Sequence, residues 1–429
     1  MPTYAAVILV GGPSRGTRFR PLSLDTPKPL FPIAGKPVIY HHLKALSKVE
    51  GLNEVYLIGS FEDSVLRAFT QQVSREFAGL TVRYLREFTA LGTAGGIYHF
   101  RDQILRSSPD RLFVLHADVA CTFPLTPMTR FHRDHEGWCT ILSTKVPREA
   151  AHNFGCLVQN PTTHEVLHYV EKPESFISDL ISCGVYLFDV SVFAEIAKAL
   201  ERRRNPSVPT VFKDEMEEEL ALDYASGSGG SGAADILRLE QDILWPLAGD
   251  KRIFAFETTD PWRQIKTAGS SVPANALYLQ LYAKTSQDLL SPPGNEGGPE
   301  IVGPVIIHPT AMVDPSAKIG PNVTIGAGVI IGRGVRVRES IILDNVEIRS
   351  NACILYCVIG WDSRVGRWCR VEGTPAPAYD TKITDNGVKV ESSSILGNQV
   401  TIADETIIRN CIVLPNKELK ASFKNEILM

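Results

Sequence analysis

A glycine pair with three cations close behind it is the first stretch of this 429-residue chain that could do chemistry. An apolar run, Ala5-Ala6-Val7-Ile8-Leu9-Val10, leads straight into Gly11-Gly12, and Gly16, Thr17, Arg18, Arg20 and Lys28 follow before Pro32. Glycines after a buried strand let the backbone turn sharply and expose its N–H groups to an anion. Backbone donors and cations at a strand end describe a phosphate site at the edge of a parallel α/β sheet. The plainer alternative is a glycine turn followed by solvated charges. Glycines, cations and two proline-framed turns within one block favour the phosphate reading.

Three more segments carry candidate groups. Leu91-Gly92-Thr93-Ala94-Gly95-Gly96 precedes a helical stretch, and its small residues either let a base or phosphate approach the backbone or simply start a helix. Asp118 follows the apolar run Leu112–Leu115, where a carboxylate can hold a hard cation or cap a turn. Asn153-Phe154-Gly155 and Val170-Glu171-Lys172-Pro173 come next, followed by Ser182-Cys183-Gly184. A Glu-Lys pair at a strand end offers an acceptor for sugar hydroxyls and a cation for a phosphate. It can equally be an exposed ion pair.

These residues need elements that bring strand ends together. Apolar runs at 5–10, 55–58, 82–85, 112–115, 139–142 and 184–188 read as strands, and 38–48, 62–76 and 94–106 read as helices. That alternation predicts an α/β domain with a mostly parallel, Rossmann-like sheet, whose ligands bind outside the carboxyl ends of the strands.

The block 11–32 contains Gly11-Gly12, Gly16-Thr17-Arg18, Arg20-Pro21-Leu22, Pro27-Lys28-Pro29-Leu30 and Pro32. It resembles the signature of the sugar-nucleotide pyrophosphorylases. Within that family the chain is most similar to GDP-mannose pyrophosphorylases of the alpha, regulatory type, from residue 5 to Lys417-Glu418-Leu419. The resemblance implies a nucleotidyltransferase domain and a mannose-1-phosphate guanylyltransferase reaction. A sugar 1-phosphate oxygen attacks the α-phosphorus of GTP, and pyrophosphate leaves. It implies Arg18 and Lys28 as the catalytic cations. Nucleotide contacts would come from Gly11, Gly12, Gly16, Thr17, Gly92, Thr93 and Gly95, sugar-phosphate contacts from Asn153, Glu171 and Lys172. Asp118 would be a magnesium ligand. Such a site must hold two anions in line and neutralise the charge that builds between them, for which cations and magnesium are suited.

Two departures bear on activity. Relatives that turn over read Gly-Gly-x-Gly-Thr-Arg, whereas Gly11-Gly12-Pro13-Ser14-Arg15-Gly16-Thr17-Arg18 is two residues longer, and Pro13 lacks an N–H. Those relatives also carry Trp-x-Asp-Ile-Gly, whose Asp is the second magnesium ligand. This chain reads Trp262-Arg263-Gln264-Ile265-Lys266, which puts a neutral amide at that position. The alpha type shares both departures. The expectation is a subunit that binds GDP-mannose or GTP in an impaired site and regulates a catalytic beta-type GDP-mannose pyrophosphorylase subunit. The alternatives are a working guanylyltransferase, with Asp260 as the nearest replacement carboxylate, and a purely structural scaffold.

Residues 203–234 shift from a basic patch through an acidic one to Ser226-Gly227-Ser228-Gly229-Gly230-Ser231-Gly232, a composition expected of a flexible insertion. Arg238–Leu244 reads as a helix returning to the core. Residues 1–285 are expected as the nucleotidyltransferase domain, 286–300 as a linker and 301–429 as a second domain. There Ile307, Val313, Ile319, Ile325, Ile331, Val337 and Leu343 recur every six residues. A hexad of aliphatics places one residue inside each flat face of a left-handed parallel β-helix, with a register slip near 349 and resumption at Ile359, Val365 and Val371. In the family this domain assembles subunits, so self-association is expected. His308 is the one histidine there, at its very start, which argues against acyl transfer. The segment 373–391 interrupts the repeat.

A net charge of -4 gives no reason to expect nucleic acid or an acidic membrane as partner. The N-terminal apolar run is too short to span a bilayer and lacks a basic lead, so a cytosolic protein is expected. Eight cysteines in so long a chain do not make a disulfide framework, and Cys353, Cys357 and Cys369 read as packing residues rather than metal ligands.

Overall fold

The apolar run after Thr3 becomes the strand Tyr4–Gly11, whose Ala5, Ala6, Val7 and Ile8 are fully buried. Such a run suits a strand covered on both faces. In this computed structural model the described residues are 2–13, 17–204, 236–294, 297–375, 382–383, 389–390 and 393–429. Gly16, most of the 203–234 insertion and most of the 373–391 interruption lie outside them. The chain falls into two compact units. One comprises Met1–Gly12, Leu43–Ala117 and Phe123–Asp260, the other Pro13–His42, Asp118–Thr122 and Pro261–Met429.

The first unit is built on a nine-stranded sheet. Tyr4–Gly11 runs parallel to Leu52–Gly59 on one side and to Arg111–His116 on the other, and Thr81–Arg86 extends the parallel edge. Every strand expected from the apolar runs is present. The sheet is mixed rather than mostly parallel, because Leu180–Asp189 runs antiparallel to both Arg111–His116 and Cys139–Lys145. Gly155–Gln159 and Val166–Glu171 form an antiparallel pair beyond it. Their sequences alternate too weakly to have been read as strands. The helix expected over 94–106 is Gly92–His99, then a break at Phe100 and a short turn Arg101–Ile104. Residues expected as a returning helix form a π-helical turn, Leu239–Leu244.

The second unit holds the repeat domain. Three parallel sheets of seven, seven and six strands stack into the left-handed parallel β-helix expected from the hexads. Ile319, Ile325, Ile331 and Val337 lie buried inside it. The register slips earlier than expected. Val337 pairs with Ile354, one residue short of the spacing by which Ile319 pairs with Val337, and Ile342 rather than Leu343 fills the interior. Leu343 instead joins a cluster outside the coil with Phe19, Phe31, Ile33, Ala274, Tyr278, Ile341, Val358 and Ile395. The helix Ser271–Thr285 and the cation-bearing block therefore pack on the outer face of one β-helix sheet. Asn398 Nδ2 donates to Asp25 Oδ2 at 2.6 Å, and Phe31 meets Trp361 edge-on at 5.9 Å. Truncating a fully buried rung such as Val337 would cost about 2–4 kcal/mol. Among the described residues no helix is long and apolar enough to cross a membrane.

Candidate functional site

Two polar groups gather the residues expected from the sequence, one in each unit. In the second unit, Pro27 and Pro29 frame a 3-10 turn, Lys28–Leu30. Proline fixes φ, so the turn presents Lys28 with little backbone freedom. Its Nζ lies 3.1 Å from Asp118 Oδ2, with both side chains mostly buried. Opposite them, Trp262–Gln264 pairs antiparallel with Val119–Cys121, which sets Gln264 beside Val119, and Ile265 N–H donates to the Asp118 carbonyl at 2.7 Å. That ladder delivers the Gln264 amide to the carboxylate. Nε2 donates to Asp118 at 3.3 and 3.4 Å. Arg18 belongs to the turn Thr17–Phe19, anchored by fully buried Phe19, with Thr17 and Arg18 exposed.

The chemistry of this group follows from its donors. Among the described residues, Asp118 is the carboxylate that Lys28 and Gln264 meet. A magnesium ion takes oxygen ligands, whereas here an ammonium and an amide N–H occupy the two carboxylate oxygens. Among the described residues no group of three or more His, Cys, Asp or Glu could hold a metal ion. This donor set does not fit a resident divalent cation. An ammonium has three N–H donors, and Lys28 spends one on Asp118. The others can meet a phosphate.

In the first unit the group centres on Glu240. Tyr186 Oη donates to Glu240 Oε1 at 3.2 Å, and Thr93 Oγ1 donates to Oε2 at 3.4 Å. His116 Nε2 lies 3.1 Å from Oε1. Burial, the largest influence, pushes the Glu240 carboxyl up, and His116, a backbone N–H and the Tyr186 hydroxyl together hold it below the usual carboxylate range. Nearby, Tyr169 Oη donates to Glu171 Oε2 at 3.1 Å, and Lys172 Nζ sits 3.6 Å from Glu171 Oε1. Burial, then the charge of Glu240, raises the Glu171 carboxyl. Thus Thr93, Glu171 and Lys172 are brought into one polar region. Asn153 lies at its margin and donates to the Ala150 carbonyl at 3.2 Å.

The glycines divide by what surrounds them. A Cβ on Gly11, at φ +73, would meet none of the described residues within 4 Å. On Gly12 it would strike the Ser60 hydroxyl at 1.8 Å. Gly92 makes room for the chain itself, since a Cβ there would fall 2.2 Å from the Leu237 carbonyl oxygen. That same oxygen accepts the Ala94 and Gly95 N–H groups at 3.0 and 3.3 Å.

A nucleotidyl transferase model matches residues 5–229, and a GMPPB C-terminal domain model matches residues 301–428. The chain belongs to the nucleotidyl transferase family. Within it, a Schizosaccharomyces pombe protein named probable mannose-1-phosphate guanyltransferase is 49% identical, over 99% of each chain. A Danio rerio protein named mannose-1-phosphate guanylyltransferase regulatory subunit alpha-B is 48% identical, over 99% of each. The regulatory subunit alpha of Dictyostelium discoideum is also 48% identical, over 100% of this chain and 99% of its own.

Sequence reasoning assigned no role to His116, Tyr186 or Glu240. His116 stood two residues before Asp118 at the end of an apolar strand, a placement that could have drawn attention. Glu240 carried no such signal, because a glutamate on a helical stretch usually faces solvent.

Proposed function

We propose that this chain is a regulatory, alpha-type subunit of GDP-mannose pyrophosphorylase, serving GDP-mannose synthesis. It binds GDP-mannose or GTP through a site that performs little or no transfer, and it tunes a catalytic beta-type subunit through a shared assembly. The observation that carries this reading is the state of Asp118. Where transfer calls for paired carboxylates around magnesium, Asp118 is held between the Lys28 ammonium and the Gln264 amide. The names borne by full-length relatives support it.

In this reading Arg18 and Lys28 meet the nucleotide phosphates, with Gly11, Gly12, Gly16 and Thr17 lending backbone. Gly92, Thr93 and Gly95 border the base. Asn153, Glu171 and Lys172 hold the sugar phosphate. A magnesium ion brought in by a triphosphate would find the Asp118 carboxylate already engaged by Lys28 and Gln264. Residues 1–285 carry the ligand, 286–300 link, and 301–429 assemble subunits in the cytosol. Mixing the purified chain with the catalytic subunit tests the proposal. A stable complex whose turnover responds to GDP-mannose only in the presence of this chain is the expected result. Absence of any complex would overturn it.

One observation favours a second reading, an active mannose-1-phosphate guanylyltransferase. The Schizosaccharomyces pombe relative at 49% identity bears an enzyme's name without the word regulatory.

A further inference from the structure

We propose that Phe88 is the platform on which the purine of the bound nucleotide stacks, with Arg86 bracing the ring from behind. The proposal deepens the functional reading given above and rests on it, since that reading puts a nucleotide at this edge of the sheet. Phe88 is 84% exposed, as much as Met429 and more than any other large apolar side chain among the described residues. Burying a phenylalanine is worth about 1.5–3 kcal/mol, and folding leaves that gain unused here. The ring is nonetheless held. The Arg86 guanidinium lies over it, 5.1 Å from its centroid. Arg86 is half-buried, and its Nε is buried without a hydrogen-bond partner among the described residues. A planar guanidinium stacks well on an aromatic face. It covers one face of Phe88 and leaves the other to a ligand.

The backbone fixes where that face is offered. Tyr4–Gly11, Leu52–Gly59 and Thr81–Arg86 run side by side and end together, with Gly11 paired to Gly59 and Gly59 to Arg86. Hydrogen bonds carry the alignment past the strand ends. Ser60 N–H donates to the Gly11 carbonyl at 2.8 Å, and Glu87 N–H donates to the Gly59 carbonyl at 2.7 Å. The Tyr84 hydroxyl meets the Gly59 and Phe61 carbonyls at 2.9 and 2.7 Å. Two strand spacings set the glycine turn and the turn bearing Phe88 roughly 10 Å apart on one edge. Open α/β sheets bind ligands at that carboxyl edge. A nucleotide whose phosphates lie at Gly11-Gly12 extends its base along the edge toward Phe88. The helix Gly92–His99 closes on the same turn, since a Cβ on Gly96 would fall 2.1 Å from Glu87 Oε1. A protein partner is the weaker occupant. The sequence neighbours Glu87 and Thr89 are polar, whereas the centre of a protein interface clusters apolar anchors.

Calorimetric titration of GDP-mannose into the full chain and its Phe88 variants tests this. Phe88→Ala should weaken binding about tenfold to a hundredfold, the worth of one stacked base. Phe88→Leu keeps apolar bulk without a π-face and should lose nearly as much, whereas Phe88→Tyr should bind within about threefold of the wild type. Melting temperatures of all three should match the wild type, because the side chain is exposed. Phe88→Trp adds a readout that a merely structural role would not move. Its extra emission, taken as the difference from the wild type, should fall as GDP-mannose saturates the site and the base covers the indole. Undiminished affinity in Phe88→Ala or Phe88→Leu overturns the proposal, and so does an unquenched indole in Phe88→Trp. A Phe88→Ala protein that binds GDP-mannose normally but loses its complex with the catalytic subunit overturns it too, and gives the ring to a protein partner. Those results leave the nucleotide reading standing. A wild type without affinity for GDP-mannose overturns that reading and this proposal together.

Discussion

Lys28 and Asp118, 90 residues apart in sequence, meet as an ion pair at 3.1 Å with the Gln264 amide completing the group. The ammonium thus faces the carboxylate where a dication would otherwise be drawn. Replacing Gln264 by Asp sets two carboxylates against one ammonium and restores attraction for a hard cation. Manganese titration followed by electron paramagnetic resonance should show about tenfold or tighter binding in Gln264→Asp than in the wild type. Equal affinities would mean that Gln264 does not limit the metal site.

Removing the ammonium separates binding from folding. Lys28→Ala should weaken GDP-mannose binding by roughly tenfold to a hundredfold, the worth of a charge-assisted hydrogen bond. It should cost about 1–3 kcal/mol of stability, because the mostly buried Asp118 carboxylate loses one partner and keeps the Gln264 amide. Calorimetric titration and a denaturant melt read the two quantities independently.

Glu240 ties Thr93 to Tyr186 and His116 in the first unit. Glu240→Gln keeps the shape but offers an amide to donors that need an acceptor, so a loss of about 1–3 kcal/mol is expected at neutral pH. The sign of its pH dependence follows from its lowered pKa. The stabilisation is present above the ordinary value of 4.5 and fades as pH falls through the lower folded value. Denaturant melts of both proteins should therefore converge in acid. A constant gap down to the lowest pH at which both fold would contradict the ion-pair account.

His132 gives the chain an acid-sensitive core. It is buried, its Nδ1 lies 2.8 Å from Thr140 Oγ1, and burial, then the charge of Arg111, lowers its pKa from 6.5 to about 4. The folded state refuses a proton that the unfolded state accepts. Stability is therefore whole above pH 6.5 and lost progressively towards pH 4, by about 3 kcal/mol in all. His132→Asn should flatten that slope, measured as denaturant midpoint against pH.

Much of this was legible in the sequence, for reasons that differ by residue. The hexads announced the β-helix because burial inside a coil demands an aliphatic at a fixed interval. Leu343 was misplaced because a side shortened by one residue leaves the hydrophobic pattern intact while turning the next side chain outward. The antiparallel course of Leu180–Asp189 was hidden because apolar composition marks a buried strand and carries no direction. Gly92 was legible as a close-approach position, and a glycine cannot announce that one of its close neighbours is the Leu237 carbonyl. Asp118 and Lys28 were both picked out. Their pairing was not, since it depends on how two distant turns meet.

The central claim is that the site binds without transferring. The most direct measurement follows pyrophosphate release by the purified full chain from GTP and mannose-1-phosphate with magnesium, while GDP-mannose is titrated calorimetrically into the same preparation. The account expects saturable binding of GDP-mannose and no pyrophosphate above a protein-free control. Steady release that Asp118→Asn abolishes would contradict it and make the chain an enzyme in its own right.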